Sequence, residues 1–218
     1  MKKNSLLAAF LVLAFLFIFP LLAFSEELKP VQLPKPQMDG GKPLMQVLKD
    51  RKSSREFSTE KLPMQVLSNL LWAAFGVNRP ESGGRTAPSA MNMQETEIYV
   101  ATADGLYVFD AKAQLLKPVL VQDVRSMTGR QPFVAQVPLN LIYVADFSKM
   151  SRATNEDKEV YSAAHAGFIA ENVYLYCASE GLATVVRAAV DRPALAKLME
   201  LRPDQKITLV QSVGYPKK

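Results

Sequence analysis

GFIAENVYLYCASEGL (residues 167–182) is the second half of a long helical run that begins near Glu156 and stops at Gly181. A glycine directly after the last periodic residue is a helix stop, because it alone enters the left-handed conformation without strain. Ala163, Ala164, Ala166, Gly167 and Ala170 keep the helix slim, so another helix can approach it closely. β-prone runs stand on both sides. Upstream, Leu139–Phe147 is apolar without alternation, the profile of a strand buried on both faces. Downstream, Ile207–Val213 reads as a last strand, after a short helix over Pro193–Leu201.

Farther upstream, Glu97–Ala101 and Leu106–Phe109 flank Ala103-Asp104-Gly105 and form a predicted hairpin. Residues 114–120 read as a third, shorter strand, and about 119–128 as a helical stretch ending near Gly129. Two helices precede the hairpin. Leu44–Asp50 is short; the second runs from Leu62-Pro63 to Phe75, with proline in its first turn and Gly76 as its stop. No internal repeat is visible. Helices mixed with mostly antiparallel strands in this order predict an α+β domain.

The first 25 residues have the layout of a secretory signal peptide. Lys2 and Lys3 precede an apolar run from Leu6 to Phe24, interrupted by Pro20, and Ala23-Phe24-Ser25 is a small-residue cleavage site. Cleavage predicts a periplasmic or secreted protein; retention of the run, near the ~20 residues of a membrane span, would leave an anchor. Residues 26–43, with Pro30, Pro34, Pro36 and Pro43, read as an extended linker. The domain follows over 44–218. Removing the two leader lysines takes the formal charge from +5 to +3. No basic stripe is interleaved with aromatics, so nucleic acid is not an expected partner. One cysteine, Cys177, excludes an intramolecular disulfide or a cysteine metal centre.

Two polar segments stand out. RKSSREF (51–57) places Arg51, Lys52, Ser53 and Arg55 directly after a helix. Guanidinium, ammonium and hydroxyl donors suit an oxyanion such as phosphate, although cations are also favoured at any helix C-terminus. GGRTAPSAMNMQ (83–94) lies between a helix and a strand, with Gly83-Gly84 for sharp backbone turns and Asn92 and Gln94 as paired donors and acceptors.

Four motifs in order, RKSSREF, PSAMNMQ (88–94), GFIAENVYLYCASEGL and VGYP (213–216), resemble the nitroreductase family of FMN-dependent oxidoreductases. GGRTAPSA and GLYVFD (105–110) are closer to its azoline-oxidising dehydrogenase-like branch. The resemblance covers about Leu44 to Pro216. It implies a nitroreductase-like α+β fold, with a central mostly antiparallel sheet flanked by helices, and a homodimer with FMN at the interface. By position it assigns Arg51, Lys52 and Ser53 to the FMN phosphate and ribityl chain, and Arg55 to the ring's N1 and O2 edge. It assigns Ser89, Ala90, Met91 and Asn92 to the loop along the ring. Arg187, Ala188 and Ala189 match the segment whose backbone approaches N5, with Arg187 near the substrate side. Glycine is common in the family where Ala188-Ala189 stand, and Lys217-Lys218 lie nearest to a distal basic residue that many members carry. The implied substrate is a small molecule or peptide-derived group, with NAD(P)H as a candidate donor. A protein of the same fold that binds flavin or ligand without turnover is the alternative reading.

His165 is the single histidine, and with no second one a packed or surface role is expected rather than a metal or catalytic one. Cys177, Tyr174 and Tyr176 on the same helix are expected to be core. No metal site and no catalytic acid–base pair is expected.

Overall fold

A computed structural model describes residues 27–218; the predicted leader, residues 1–25, lies outside the described residues. Among the described residues no helix is long and apolar enough to cross a membrane. The centre of the fold is a seven-stranded sheet in the order β1-β6-β5-β4-β7-β9-β8, and every strand pair in it is antiparallel. The strands are β1 (Val31–Gln32), β4 (Thr96–Thr102), β5 (Gly105–Asp110), β6 (Leu115–Leu120), β7 (Leu139–Asp146), β8 (Ala183–Arg187) and β9 (Gln205–Gly214). β2 (Val77–Arg79) and β3 (Gly84–Arg85) form a separate two-stranded ribbon. The helices are α1 (Leu44–Asp50), α2 (Met64–Phe75), α3 (Asn155–Glu180) and α4 (Arg192–Leu198).

The central strands are covered on both faces, so the side-chain alternation of a strand divides them between two cores. On one face Ile98, Val100, Leu141, Tyr143 and Val213 pack with Leu70, Leu71 and Phe75 of α2 and with Ile169, Val173 and Cys177 of α3. On the other, Tyr99, Ala101, Ile142, Val144 and Val210 meet Leu195 of α4 and Met199. All eight residues of β7 are buried, as its unbroken apolar run requires.

α3 begins where Thr154 accepts a hydrogen bond from the Asp157 N–H at 3.1 Å and ends at Gly181 with φ +72°. Cys177 is buried, and burial pushes its thiol pKa well above the ordinary range.

The helical expectation for 119–128 is corrected. Val119 and Leu120 belong to β6, and only one 3-10 turn, Arg125–Thr128, follows. Asp123 closes that turn by accepting from the Arg125 N–H at 3.0 Å and from its guanidinium at 2.9 Å. β8, together with β1, β2 and β3, is an addition to the expected elements. The proline-containing segment 27–43 is extended but docked. β1 pairs with β6, Leu33 is buried, and the Gln37 N–H donates to Asn69 at 3.0 Å.

Candidate flavin site

The basic segment after α1 is laid along the outer edge of β8. The Ser54 N–H donates to the Thr184 carbonyl at 2.9 Å, and Phe57 forms a bridge with Pro216. Tyr174, buried on α3, ties this edge together. Its hydroxyl shares a 2.8 Å hydrogen bond with Ser53 and accepts one from the Val186 N–H at 2.9 Å, while the Arg51 guanidinium lies 5.3 Å above its ring centre. Lys52, Ser53 and Arg55 are exposed. Among the described residues, none of Arg51, Lys52 and Arg55 has a carboxylate within 4.0 Å. Three uncompensated cations within five residues repel one another and favour an anion. A cavity of about 380 Å³ beside them is lined by Lys52, Ser54, Tyr174, Thr184 and Lys217, together with the carboxylate residues Asp50 and Glu56.

β8 ends at Arg187, and Ala188 and Ala189 beyond it are exposed. Their carbonyls accept from Val190 and Arg130, but their N–H groups find no acceptor among the described residues. These two donors follow Val186, whose own N–H is held by Tyr174. Arg187 is different. Its guanidinium is turned into the interior, where it donates to the Thr128 carbonyl (2.8 Å), Asn140 (3.1 Å) and Ser212 (3.0 Å). Burial lowers its pKa to about 10. The expectation of a substrate-facing Arg187 side chain is therefore corrected: the side chain braces the sheet end, and only backbone here is available to a ligand. Gly129 makes room for it, since a Cβ there would lie 1.9 Å from the guanidinium.

The loop 83–94 is a built structure. Gly83 turns the β2–β3 ribbon at φ +68°, and Ala90–Asn92 form a 3-10 turn. Met91, Asn92 and Gln94 all have φ near +50°, a left-handed conformation that costs non-glycine residues about 1 kcal/mol each. Gln94 holds the loop together. It accepts from Arg85 at 2.9 Å and donates to the Gly83 carbonyl at 3.0 Å and to the Asn92 side chain at 2.9 Å. Gln94 is a brace rather than a free ring-edge contact, whereas Asn92 and Met91 remain exposed. Arg152 donates to the Met91 carbonyl. The Ala90 N–H donates to His165 on α3 at 2.8 Å, and the other ring nitrogen of His165 lies 2.7 Å from Glu95.

Both segments are anchored on α3, at different heights. Ser53 is fixed at Tyr174 and Ala90 at His165, nine residues apart, which is roughly 14 Å along a helix axis at about 1.5 Å per residue. One chain therefore joins Arg51, Lys52, Ser53 and Arg55 with Ala188 and Ala189, and holds Ser89–Asn92 at the other level. Arg130, His165 and Glu95 were not expected at the site from sequence. A lone histidine and a lone glutamate carry no spacing signal, and Arg130 is placed only by the return of the chain beside Ala189. No cluster of histidine, cysteine and carboxylate residues able to hold a metal occurs among the described residues.

An antiparallel sheet packed on helices, with an exposed cationic segment along one sheet edge, defines an α+β domain. Comparison with known proteins is more specific. Residues 48–215 match the model described as "Nitroreductase family", and the chain belongs to that family. Methanocaldococcus jannaschii has a relative named "Putative nitroreductase MJ1384" that is 30% identical over 169 residues, covering 73% of this chain and 85% of the relative. A crystal structure of a "putative nitroreductase" from Ralstonia eutropha JMP134 is 45% identical with a TM-score of 0.84, covering 88% of this chain and 91% of that one. The Escherichia coli microcin synthetase McbBCD complex with truncated pro-MccB17 bound shares the fold at 22% identity and a TM-score of 0.69, over 78% of this chain and 70% of that one. The family and fold expected from sequence are both found, and the protein is a nitroreductase-family oxidoreductase.

Proposed function

We propose that the protein is an FMN-dependent oxidoreductase, working as a homodimer with one flavin site at each end of the subunit contact. The observation that carries this reading is the run of three cations without a carboxylate partner, tied through Ser53 and Tyr174 to the Val186 N–H, two residues before Ala188. That donor set fits FMN: a phosphate dianion takes charge-assisted bonds from Arg51, Lys52 and the Ser53 hydroxyl, and the carbonyl-rich ring edge takes backbone donors. When bound, FMN supplies a ring that takes an electron pair from one substrate and gives it to another. The chain's own residues bind and orient that ring, and Arg55 offers a fixed positive charge where reduction adds negative charge.

The 14 Å offset of the two segments on α3 supports the dimer, because a second copy can bring its 88–92 loop to the level of the first copy's cationic segment. α3 also presents Val160, Ala163, Ala164, Gly167 and Phe168 to the outside, with Phe168 47% exposed and Val160 61% exposed. A large apolar stripe of this kind marks an interaction surface. The substrate class is a small molecule or a peptide-derived group. NAD(P)H is the proposed donor, bound transiently, since the sequence has no dinucleotide fingerprint. Removal of residues 1–25 would place the mature chain outside the cytoplasm, which N-terminal sequencing of protein from the natural host would test.

Purified protein should carry or take up one FMN per chain with flavin absorption bands, bleach with dithionite, and recover on adding an acceptor. Failure to bind added FMN overturns the proposal. Binding with bleaching by dithionite but no reduction by NADH or NADPH and no reoxidation by an added acceptor leaves a carrier in place of an enzyme. Arg55→Ala should raise the FMN dissociation constant about tenfold, as expected for one charged contact at a solvent-facing site.

A further inference from the structure

The buried pair His165–Glu95 is absorbed by neither the fold nor the flavin contacts. His165 sits on α3, 4% exposed, between Tyr161 and Phe168, whose ring centres are 6.2 and 6.3 Å from its own. A backbone N–H can only donate, so the 2.8 Å contact from Ala90 makes Nε2 of His165 an unprotonated acceptor. Nδ1 must then carry the ring proton, which it donates to Glu95 Oε1 at 2.7 Å. Glu95 is fully buried, also takes a bond from the Thr96 hydroxyl at 3.2 Å, and leaves Oε2 without a partner among the described residues. A carboxylate withdrawn from water with one oxygen unsatisfied is costly, and a fold retains such a group where it holds something in place.

What it holds is a loop under backbone strain. Ala90 directly precedes Met91 and Asn92, both left-handed, and its N–H is the loop's bond to the middle of α3. We infer that His165 and Glu95 are positioning residues for the flavin site: Glu95 fixes the tautomer of His165, and His165 fixes the height of Ser89–Asn92 on α3 and hence the place of Asn92 at the ring. This rests on the proposed flavin site for its consequence, but the tether itself does not.

Two variants test it, each read in two ways. His165→Ala removes the acceptor for Ala90, whereas His165→Gln can restore one near the Nε2 position. Hydrogen exchange in the protein without added flavin should show Ala90–Met93 opening about tenfold faster in His165→Ala, with β7 unchanged, and return to within about threefold of the native rate in His165→Gln. FMN affinity should follow the same order, with a tenfold or greater loss for alanine, a loss within about threefold for glutamine, and an altered visible band only for alanine. Unchanged exchange at 90–93, or equal losses in both variants that track faster exchange of β7, would overturn the inference. If native protein binds no FMN, the flavin proposal fails and the exchange measurement alone decides the tether.

Discussion

The guanidinium of Arg187, at the end of β8, is turned into the interior, where it donates to three neutral acceptors on Thr128, Asn140 and Ser212. Those partners lie 25 to 59 positions away, so no local pattern announces them. Arg187→Met should destabilise the fold by about 2 kcal/mol, since buried acceptors lose their donor, lowering the melting temperature by about 5 °C. Asp146 is a titrating case. Burial pulls its carboxyl pKa upward, but hydrogen bonds from Ser148 and Arg202 outweigh this and leave it below the usual value. Its stabilising effect is thus complete above the unfolded carboxyl's pKa and fades as pH falls through the lower folded value. Arg202→Ala should lower the urea midpoint slightly at pH 7, because Arg202 is exposed and its pair with Asp146 is screened, and lower it less at pH 3.

Elements were legible wherever the hydrophobic pattern was local. β7 and α3 follow from their apolar runs, and α3 ends where Gly181 enters the left-handed region. Gly181→Ala meets no neighbour within 4 Å, so its cost should be backbone strain alone, about 1 kcal/mol or ~3 °C in melting temperature. β8 was invisible for a physical reason. Thr184 and Arg187 look like loop residues, and they are buried only because Ser212, Gln211 and Asn140 on β9 and β7 satisfy them. The 119–128 segment fails as a helix because β5 recruits its first residues and Asp123 closes the chain into a single turn. The same division holds for the site. RKSSREF and the 83–94 loop were legible as dense polar runs, while His165–Glu95, 70 positions apart, becomes a pair only in the folded chain.

At the scale of the molecule, the exposed apolar stripe on α3 has room for a second helix. A Cβ at Gly167 would meet nothing within 4 Å. Phe168→Glu should therefore convert the proposed dimer to monomer in sedimentation or light scattering and weaken FMN binding at least tenfold, since each site would lose the partner's loop. A dimer unaffected by the substitution would place the contact elsewhere.

The attachment of Ser54 to Thr184 gives the cationic segment a second duty. β8 is the last strand of the sheet, and its outer row of carbonyls and N–H groups is a template for any other extended chain. The Ser54 N–H takes one acceptor of that row, as β1 covers part of β6 at the opposite border. The segment that carries Arg51, Lys52 and Arg55 thus also occupies part of the sheet's open border, so loosening it would free an edge on which another strand could pair.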